Sequence, residues 1–131
     1  PTLLACAGIE PPEYMKGRTL QQLVEGNSEN WPQEVFLQIS ESQVGRAIRT
    51  KKWKYSIRAI DKNPWKDMDS DVYVEDFLYD LEEDPYEKNN LVSEPRYAAV
   101  RKELAERLKK RMKQAGEDIP EIICSQDNPK N

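Results

Sequence analysis

The chain has 131 residues, a formal net charge of −4 and an apolar fraction of 37%, which favour one globular domain with a modest core and a highly charged surface. It contains no histidine, so Ser-His-Asp catalysis, Cys-His catalysis and histidine-based zinc sites are excluded. No apolar run approaches the length of a membrane span, and the five glycines are too scattered to form a phosphate-binding loop.

The first thirty residues predict two short helices. Residues 2–7 form an apolar run closed by Gly8, a residue suited to the left-handed end of a helix. Residues 20–25 predict a second short helix, which Gly26 ends. Cys6 lies in the first run and is predicted to be a small buried hydrophobe.

The second cysteine, Cys124, lies far along the chain in a polar segment. The two cysteines have no metal-binding spacing and form no C-x-x-C pair. The sequence leaves open whether they are reduced, and with it the cellular compartment.

Alternating apolar and polar residues predict four β-strands. These strands cover residues 35–39, 44–50, 53–60 and 76–81. Lys51 and Lys52 separate the second and third strands as the tight turn of a hairpin. A polar loop over residues 61–71, which includes Trp65, is longer than a typical connection. The pattern is typical of an antiparallel sheet with one buried face and one hydrated face.

Residues 78–91 combine the end of the last strand with a polar turn. Asp84 is predicted to cap a short helix, with Pro85 at its first position and Glu87 reaching back in a capping box. Leu91 then returns to the core.

One long helix is predicted from Ser93 to about Gln114, and Gly116 ends it. Its apolar positions are spaced three or four residues apart, which is typical of a helix that packs on a sheet. They are Tyr97, Val100, Leu104, Leu108 and Met112. Residues 117–131 show no periodicity and are predicted to be an irregular tail. The predicted fold is α+β, a four-stranded antiparallel sheet with a long C-terminal amphipathic helix packed on one face and short helices at the N-terminus.

Two charged segments could suggest binding of calcium or of nucleic acid, but their residues support neither. An acidic loop beginning at Asp67 has the opening spacing of a calcium-binding loop, but Val72 and Leu78 occupy the positions where such a loop needs Gly and Glu. Residues 101–113 are strongly basic, yet the whole chain is acidic and no aromatic residues interleave with these charges to stack on bases. Solvated surfaces of opposite sign are the favoured interpretation.

Four motifs stand in order along the chain. Residues 1–9 read P-T-L-L-A-C-A-G-I, and residues 15–26 include G-R-T-L-Q-Q-L-V-E-G. Residues 46–55 contain R-A-I-R-T and W-K-Y, and residues 78–91 read L-Y-D-L-E-E-D-P-Y-E-K-N-N-L. Together they resemble the C-terminal part of arylsulfatase-like enzymes, the formylglycine-dependent sulfuric-ester hydrolases of the alkaline-phosphatase-like superfamily. Ala5 and Cys6 depart from the family helix, which has an acidic residue and Leu at these positions.

The resemblance implies that residues 1–116 are the non-catalytic C-terminal subdomain of a larger sulfatase. The intact enzyme would hydrolyse sulfate esters with a formylglycine and a calcium ion. This part alone is expected to be inactive, because it lacks histidine and the C/S-x-P/A-x-R motif that yields formylglycine. No catalytic, cofactor-binding or metal-binding residue is assigned within it.

The implied partners are the N-terminal catalytic domain of the same chain and, through the intact enzyme, a sulfate-ester small molecule or a sulfated sugar. Neither nucleic acid nor a membrane is expected as a partner. The docking face for the catalytic domain, if left exposed, is expected to promote self-association.

The resemblance also implies a rim of the substrate pocket, for which the candidates are Glu41, Gln43, Arg46 and Trp65. Arg46 could pair with an anionic substrate group, or it could form a structural ion pair with Glu41 or face water. Trp65 could be a platform for a sugar or aryl ring, or an anchor for its loop. Two other functions stay open, the same subdomain in a phosphonate or phosphodiester hydrolase and an autonomous module that binds polyanions or proteins.

Overall fold

A computed structural model of the protein describes residues 1–125. The chain divides into two compact units, one spanning Pro1–Pro32 and the other beginning at Gln33. The predicted domain bounds, residues 1–116 and 117–131, stay a prediction. Within the described residues, no helix has both the length and the apolar character needed to cross a bilayer.

The first unit contains the two predicted short helices, α1 (Thr2–Cys6) and α2 (Gln21–Val24). The backbone N–H of Leu20 donates to Thr2 Oγ1 at 3.1 Å, which joins the start of α2 to the start of α1. Gly8, which follows α1, adopts the left-handed conformation that the sequence predicts, with a φ of 70°.

Cys6 is exposed, so its prediction as a buried hydrophobe is wrong. The physical reason is the shortness of α1, a five-residue helix that buries none of its residues. The Sγ atom of Cys6 accepts a hydrogen bond from Gln21 Nε2 at 3.0 Å. Both Cys6 and Cys124 are free thiols.

The second unit is built on a sheet of five strands. They are β1 (Glu34–Ile39), β2 (Val44–Thr50), β3 (Trp53–Ala59), β4 (Val72–Asp80) and β5 (Glu121–Ile123), which lie in that order across the sheet. The first three pairings are antiparallel, and the pairing of β4 with β5 is parallel. The α+β class is therefore confirmed, and the sheet is mixed.

The prediction of a four-stranded, purely antiparallel sheet misses β5. This strand has only three residues, which is too short to show a period of two, and it lies in the segment predicted to be an irregular tail. Its first residue is held by the backbone bond from Glu121 N to Asp71 O at 2.8 Å. The rest of that predicted tail, residues 126–131, lies outside the described residues.

The core lies between one face of the sheet and a long helix, α3 (Ala98–Gln114), which follows a 3-10 turn at Pro95–Tyr97. Ile48, Tyr55 and Leu78 stand opposite one another on β2, β3 and β4, and all three are fully buried. Leu104, Leu108 and Met112 of α3 are buried against them, as the apolar stripe predicts. Tyr97 and Val100 pack at the margin of the same cluster.

One charged residue of α3 is also buried. Arg101 Nε lies 3.0 Å from Glu75 Oε2, and both side chains are almost fully buried. The hydroxyl of Tyr55 donates to Glu75 Oε1 at 3.2 Å. Burial, and then the charge of Glu75, raise the pKa of Tyr55, so this phenol stays protonated. The buried charges are tolerated because each is paired and hydrogen-bonded.

The capping box predicted at Asp84 does not form, because residues 81–91 make turns and no helix. Asp84 Oδ2 instead accepts a hydrogen bond from the backbone of Asn89 at 2.7 Å. Glu87 has a φ of 55°, and its carboxylate pairs with Lys54 on β3 rather than with the backbone of Asp84. With a left-handed backbone, Glu87 cannot lie in the first turn of a right-handed helix, so its carboxylate does not form the cap.

Candidate functional site

A cavity of about 350 Å³ lies at the end of the sheet where the β1–β2 turn and the β3–β4 loop meet. Residues 38–41 line one side, residues 64–68 line the other, and Arg46 of β2 completes the lining. The backbone N–H of Glu41 donates to the carbonyl of Pro64 at 3.2 Å, which joins the two sides. Glu41 makes this bond with a left-handed backbone, at a φ of 68°.

Hydrogen bonds within the β3–β4 loop present Trp65 at the surface. Asn63 Oδ1 accepts from Trp65 N at 3.0 Å, and Asn63 N donates to Asp67 Oδ2 at 2.8 Å. The carbonyl of Asn63 also accepts from the backbone of Lys66 and Asp67. These bonds make a tight turn, which Asn and Asp side chains favour, and the indole at its tip is 76% exposed.

Arg46 is buried beneath this loop, with 3% of its surface exposed, and its guanidinium is hydrogen-bonded at all three nitrogens. Nε donates to Glu117 Oε2 at 2.7 Å, Nη1 to Gly45 O at 2.8 Å, and Nη2 to Met68 O at 2.8 Å. The ring of Tyr73 lies 5.9 Å away, and burial raises the pKa of its phenol while the charge of Arg46 opposes that change. All three guanidinium nitrogens of Arg46 therefore donate to other groups of the protein.

Glu117 reaches Arg46 because of the way in which α3 ends. Gly116 has a φ of 91°, Gly116 N donates to Lys113 O at 3.1 Å, and Glu117 N donates to Met112 O at 3.0 Å. This is the Schellman arrangement, which reverses the chain after a helix. The second carboxylate oxygen of Glu117 accepts a hydrogen bond from Gln38 Nε2 on β1.

Three of the four predicted rim residues, Glu41, Arg46 and Trp65, line this cavity. Gln43 is not among the lining residues, and its side chain hydrogen-bonds to Asp76. The structural ion pair weighed for Arg46 exists, although its partner is Glu117 instead of Glu41.

Two further lining residues, Lys66 and Met68, were not singled out by sequence reasoning. Met68 is 84% exposed, and Lys66 makes no ion pair within residues 1–125. The sequence feature that could have identified them is their position beside Trp65 in a loop that is longer than a typical connection.

Residues 1–125 do not fit the metal that the resemblance implies, and the sequence does not supply the nucleophile. Among the residues described, no three Cys, Asp or Glu side chains cluster closely enough to hold a metal ion. Neither cysteine begins a C-x-P/A-x-R sequence that could yield formylglycine.

Asp76 of β4 is a carboxylate whose environment opposes its charge. Burial raises the pKa of its carboxyl group, whereas the charge of Arg58 and a hydrogen bond from Gln43 lower it. Arg58 Nε lies 3.2 Å from Asp76 Oδ1, and Oδ2 is buried without a hydrogen-bond partner in the described part of the chain. Asp76 does not line the cavity, so its shifted pKa is no sign of catalysis there.

Comparison with known proteins identifies relatives along almost the whole chain. An ulvan-active sulfatase of Formosa agariphila is 28% identical over an alignment of 144 residues. This alignment, which includes gaps, covers 92% of this chain and 29% of that protein. An N-acetylglucosamine-6-O-sulfatase of Bacteroides thetaiotaomicron is 28% identical over 130 residues, which cover 92% of this chain and 21% of that protein. The chain thus spans less than a third of the length of these curated relatives.

Solved structures share the fold. The protein BT4656, in complex with its substrate D-glucosamine-2-N,6-O-disulfate, matches with a TM-score of 0.68 and 26% identity, over 88% of this chain and 23% of that one. A phosphonate monoester hydrolase of Agrobacterium radiobacter matches with a TM-score of 0.65 and 26% identity, over 88% of this chain and 24% of that one.

The family described as "N-sulphoglucosamine sulphohydrolase, C-terminal" matches residues 1–114. This match covers all four motifs that resemble sulfatases. The chain therefore belongs to this family of sulfatase C-terminal domains, and the prediction made from its motifs is confirmed.

Proposed function

We propose that this chain is the non-catalytic C-terminal part of a longer hydrolase that cleaves sulfate esters. The observation that carries the proposal is the alignment of 92% of the chain with 29% of an ulvan-active sulfatase. The chemistry that formylglycine and calcium supply in the family would belong outside this chain, because the described residues form no metal-binding cluster and the sequence has no motif that yields formylglycine. The chain itself would shape the substrate pocket and stabilise the catalytic domain.

The cavity between the two loops is the proposed pocket rim. Its volume of about 350 Å³ falls within the roughly 300–1,000 Å³ of small-molecule sites. Trp65 offers an exposed indole face for a sugar or aryl ring, and Glu41 and Lys66 offer polar groups for its substituents. Arg46 is removed from the set of anion-binding candidates, because protein groups already occupy its three nitrogens.

The proposed partner of this chain is the catalytic domain of the same protein. Val35 and Leu37 are exposed on β1 and point to the sheet face opposite Phe36, which packs in the core. An apolar strand surface of this kind supports docking of another domain, and self-association when that domain is missing.

A phosphonate ester is the second candidate substrate. The phosphonate monoester hydrolase of Agrobacterium radiobacter shares the fold at 26% identity, the same identity as the BT4656 complex. The autonomous polyanion-binding module has less support, because several basic residues of α3 are neutralised. Arg107 and Arg111 pair with Glu34, and Arg101 pairs with Glu75.

The test is to produce the full-length protein and assay it against matched sulfate and phosphonate monoesters with the same leaving group. We expect hydrolysis of the sulfate ester, and preferential hydrolysis of the phosphonate ester would favour the second candidate instead. Activity toward neither ester would contradict the hydrolase assignment.

The rim is tested in the same assay by Trp65→Ala. Loss of an aromatic contact worth about 0.5–1.5 kcal/mol should raise KM roughly twofold to tenfold for an ester with a ring-bearing leaving group. Tyr86→Ala is the matched control, because Tyr86 is 80% exposed and does not line the cavity. An equal KM for the two variants would remove Trp65 from the rim.

A further inference from the structure

We propose that Glu117 and Arg46 are positioning residues, which hold the β3–β4 loop so that Trp65 faces the cavity and which do not bind the substrate themselves. This inference rests on the proposed function for its kinetic consequence. Its structural content, that the two residues set the place of Trp65, stands on the contacts of the described residues alone.

The loop that carries Trp65 is tied to the sheet on both sides of the indole. On one side, Pro64 O accepts from the backbone of Glu41 at 3.2 Å. On the other side, Met68 O accepts from Arg46 Nη2 at 2.8 Å. The first tie joins two exposed loops, whereas the second anchors the β3–β4 loop to a buried residue of a central strand. The Arg46 tie is therefore the stiffer of the two.

Arg46 can hold this position only while its charge is compensated. A buried guanidinium without a partner carries a large desolvation penalty, so it would turn toward water when its carboxylate is removed. The carboxylate is that of Glu117, whose own side chain is mostly buried. Because Arg46 lines the cavity, an unpaired guanidinium would move into the space that the ligand is proposed to use.

Glu117 is held in turn from two directions. The Schellman end of α3 at Gly116 fixes its backbone, and Gln38 Nε2 donates to its free carboxylate oxygen. The chain of contacts thus runs from the end of α3 through Glu117 and Arg46 to Met68 and its loop. Every step in it is a hydrogen bond between described residues.

The structural test uses the full-length protein labelled with 5-fluorotryptophan, whose fluorine spectrum contains one resonance for every tryptophan of the longer chain, including Trp31, Trp53 and Trp65. Trp53→Phe assigns the core resonance. Trp65→Phe assigns the loop resonance. Glu117→Gln keeps the shape of the side chain but replaces one acceptor oxygen with an amide N–H₂, which then faces a donor, either Arg46 or Gln38. Arg46→Lys keeps the charge but loses the set of hydrogen bonds that the planar guanidinium makes. We expect both variants to shift or broaden the Trp65 resonance and to leave that of Trp53, which packs in the core, unchanged.

The matched control is Glu34→Gln. Glu34 is also a mostly buried carboxylate that accepts hydrogen bonds from two side chains, Arg107 and Arg111, but it lies outside the cavity. It should leave the Trp65 resonance in place. The proposal is overturned if Glu117→Gln and Arg46→Lys leave the Trp65 resonance unmoved, or if Glu34→Gln moves it equally.

The kinetic test compares the same variants in the full-length enzyme. Glu117→Gln should raise KM for an ester with a ring-bearing leaving group by up to the factor seen with Trp65→Ala, and kcat should change little. In the double variant with Trp65→Ala, Glu117→Gln should add nothing further, because it acts through the indole. An additive effect, or an unchanged KM despite a shifted Trp65 resonance, would overturn the positioning role. A protein that hydrolyses no ester would refute the proposed function, and the fluorine spectra would still decide the structural claim.

Discussion

At the scale of single residues, Asn90 explains why the turn after β4 closes without a helix. Its Oδ1 accepts hydrogen bonds from Leu78 N at 3.0 Å and from Val92 N at 3.1 Å. Its Nδ2 donates to Asp76 O at 3.0 Å. One side chain thus joins β4 to the segment that leads into α3, while Leu91 N donates to Leu78 O at 2.8 Å beside it.

Asn90→Ala should lower the free energy of unfolding by about 2–3 kcal/mol, because it leaves partly buried backbone groups without partners. Urea unfolding should show a lower midpoint with the same slope. Asn89→Ala is the control, since only the backbone of Asn89 takes part in the turn, through its bond to Asp84. Equal losses in the two variants would mean that Asn90 has no special role.

At the scale of secondary-structure elements, β5 depends on few residues for its attachment. Ile122 packs against the core, and Ser125 N donates to Glu75 Oε2 at 3.4 Å. Through this bond the end of the described chain reaches the buried pair of Glu75 and Arg101. A three-residue strand is stable here because its side chains reach a core that is already formed.

Ile122→Ala should cost about 1–2 kcal/mol, which is less than a fully buried Ile would cost because this side chain is only partly buried. Ile119→Ala is the comparison, because Ile119 is 57% exposed and precedes the strand. It should change stability by less than about 0.5 kcal/mol. Thermal unfolding of both variants checks this, and a larger loss for Ile119 would contradict the packing described.

The elements differ in how far the sequence could predict them. Strands β1 to β3 have periods long enough to be recognised and were predicted within one residue of their observed bounds. The end of α3 was also predicted, but the helix begins at Ala98 rather than Ser93, and β4 begins at Val72 rather than at residue 76. Strand β5 is too short for any period, and Glu87 pairs with Lys54, which is distant in sequence. Local patterns cannot reveal either of these long-range pairings.

The contacts around the cavity were also only partly predictable from local sequence patterns. Trp65 and Glu41 were named as rim candidates from the resemblance and from their place in polar loops, and both line the cavity. The partner of Arg46 was missed because Glu117 lies in another element, at a position set by the end of α3. The buried Arg101 was missed for a related reason, since its carboxylate partner belongs to β4.

At the scale of the whole molecule, charges of opposite sign join elements across the fold. Glu34 on the edge strand β1 binds Arg107 and Arg111 of α3, with Nε to Oε distances of 2.8 and 2.7 Å. Burial raises the pKa of Glu34, but hydrogen bonds and the charges of the two arginines lower it more, so its net pKa lies below 4.5. The folded state therefore binds this proton less readily than the unfolded state does.

The stability that Glu34 contributes should be fully present above its unfolded pKa, near 4.5, and should be lost as the pH falls through the lower folded pKa. Glu34→Gln should therefore destabilise the protein at pH 7, and the difference from the natural protein should shrink below about pH 4.5. Urea unfolding at a series of pH values checks this. A difference that stayed constant down to pH 3 would show that the carboxylate charge is not the cause.

The parallel pairing of β4 with β5 has a consequence for the order in which the protein folds. The β2–β3 hairpin closes over a two-residue turn. Val72 pairs with Glu121, and the whole of α3 lies between them in the sequence, so this pairing can form only after α3 has packed on the sheet. Contacts so distant in sequence form slowly and late. Folding is thus expected to proceed from the hairpin outward, with β5 added last, and opening to begin there. Amide hydrogens of β5 would then exchange with solvent before those of the central strands.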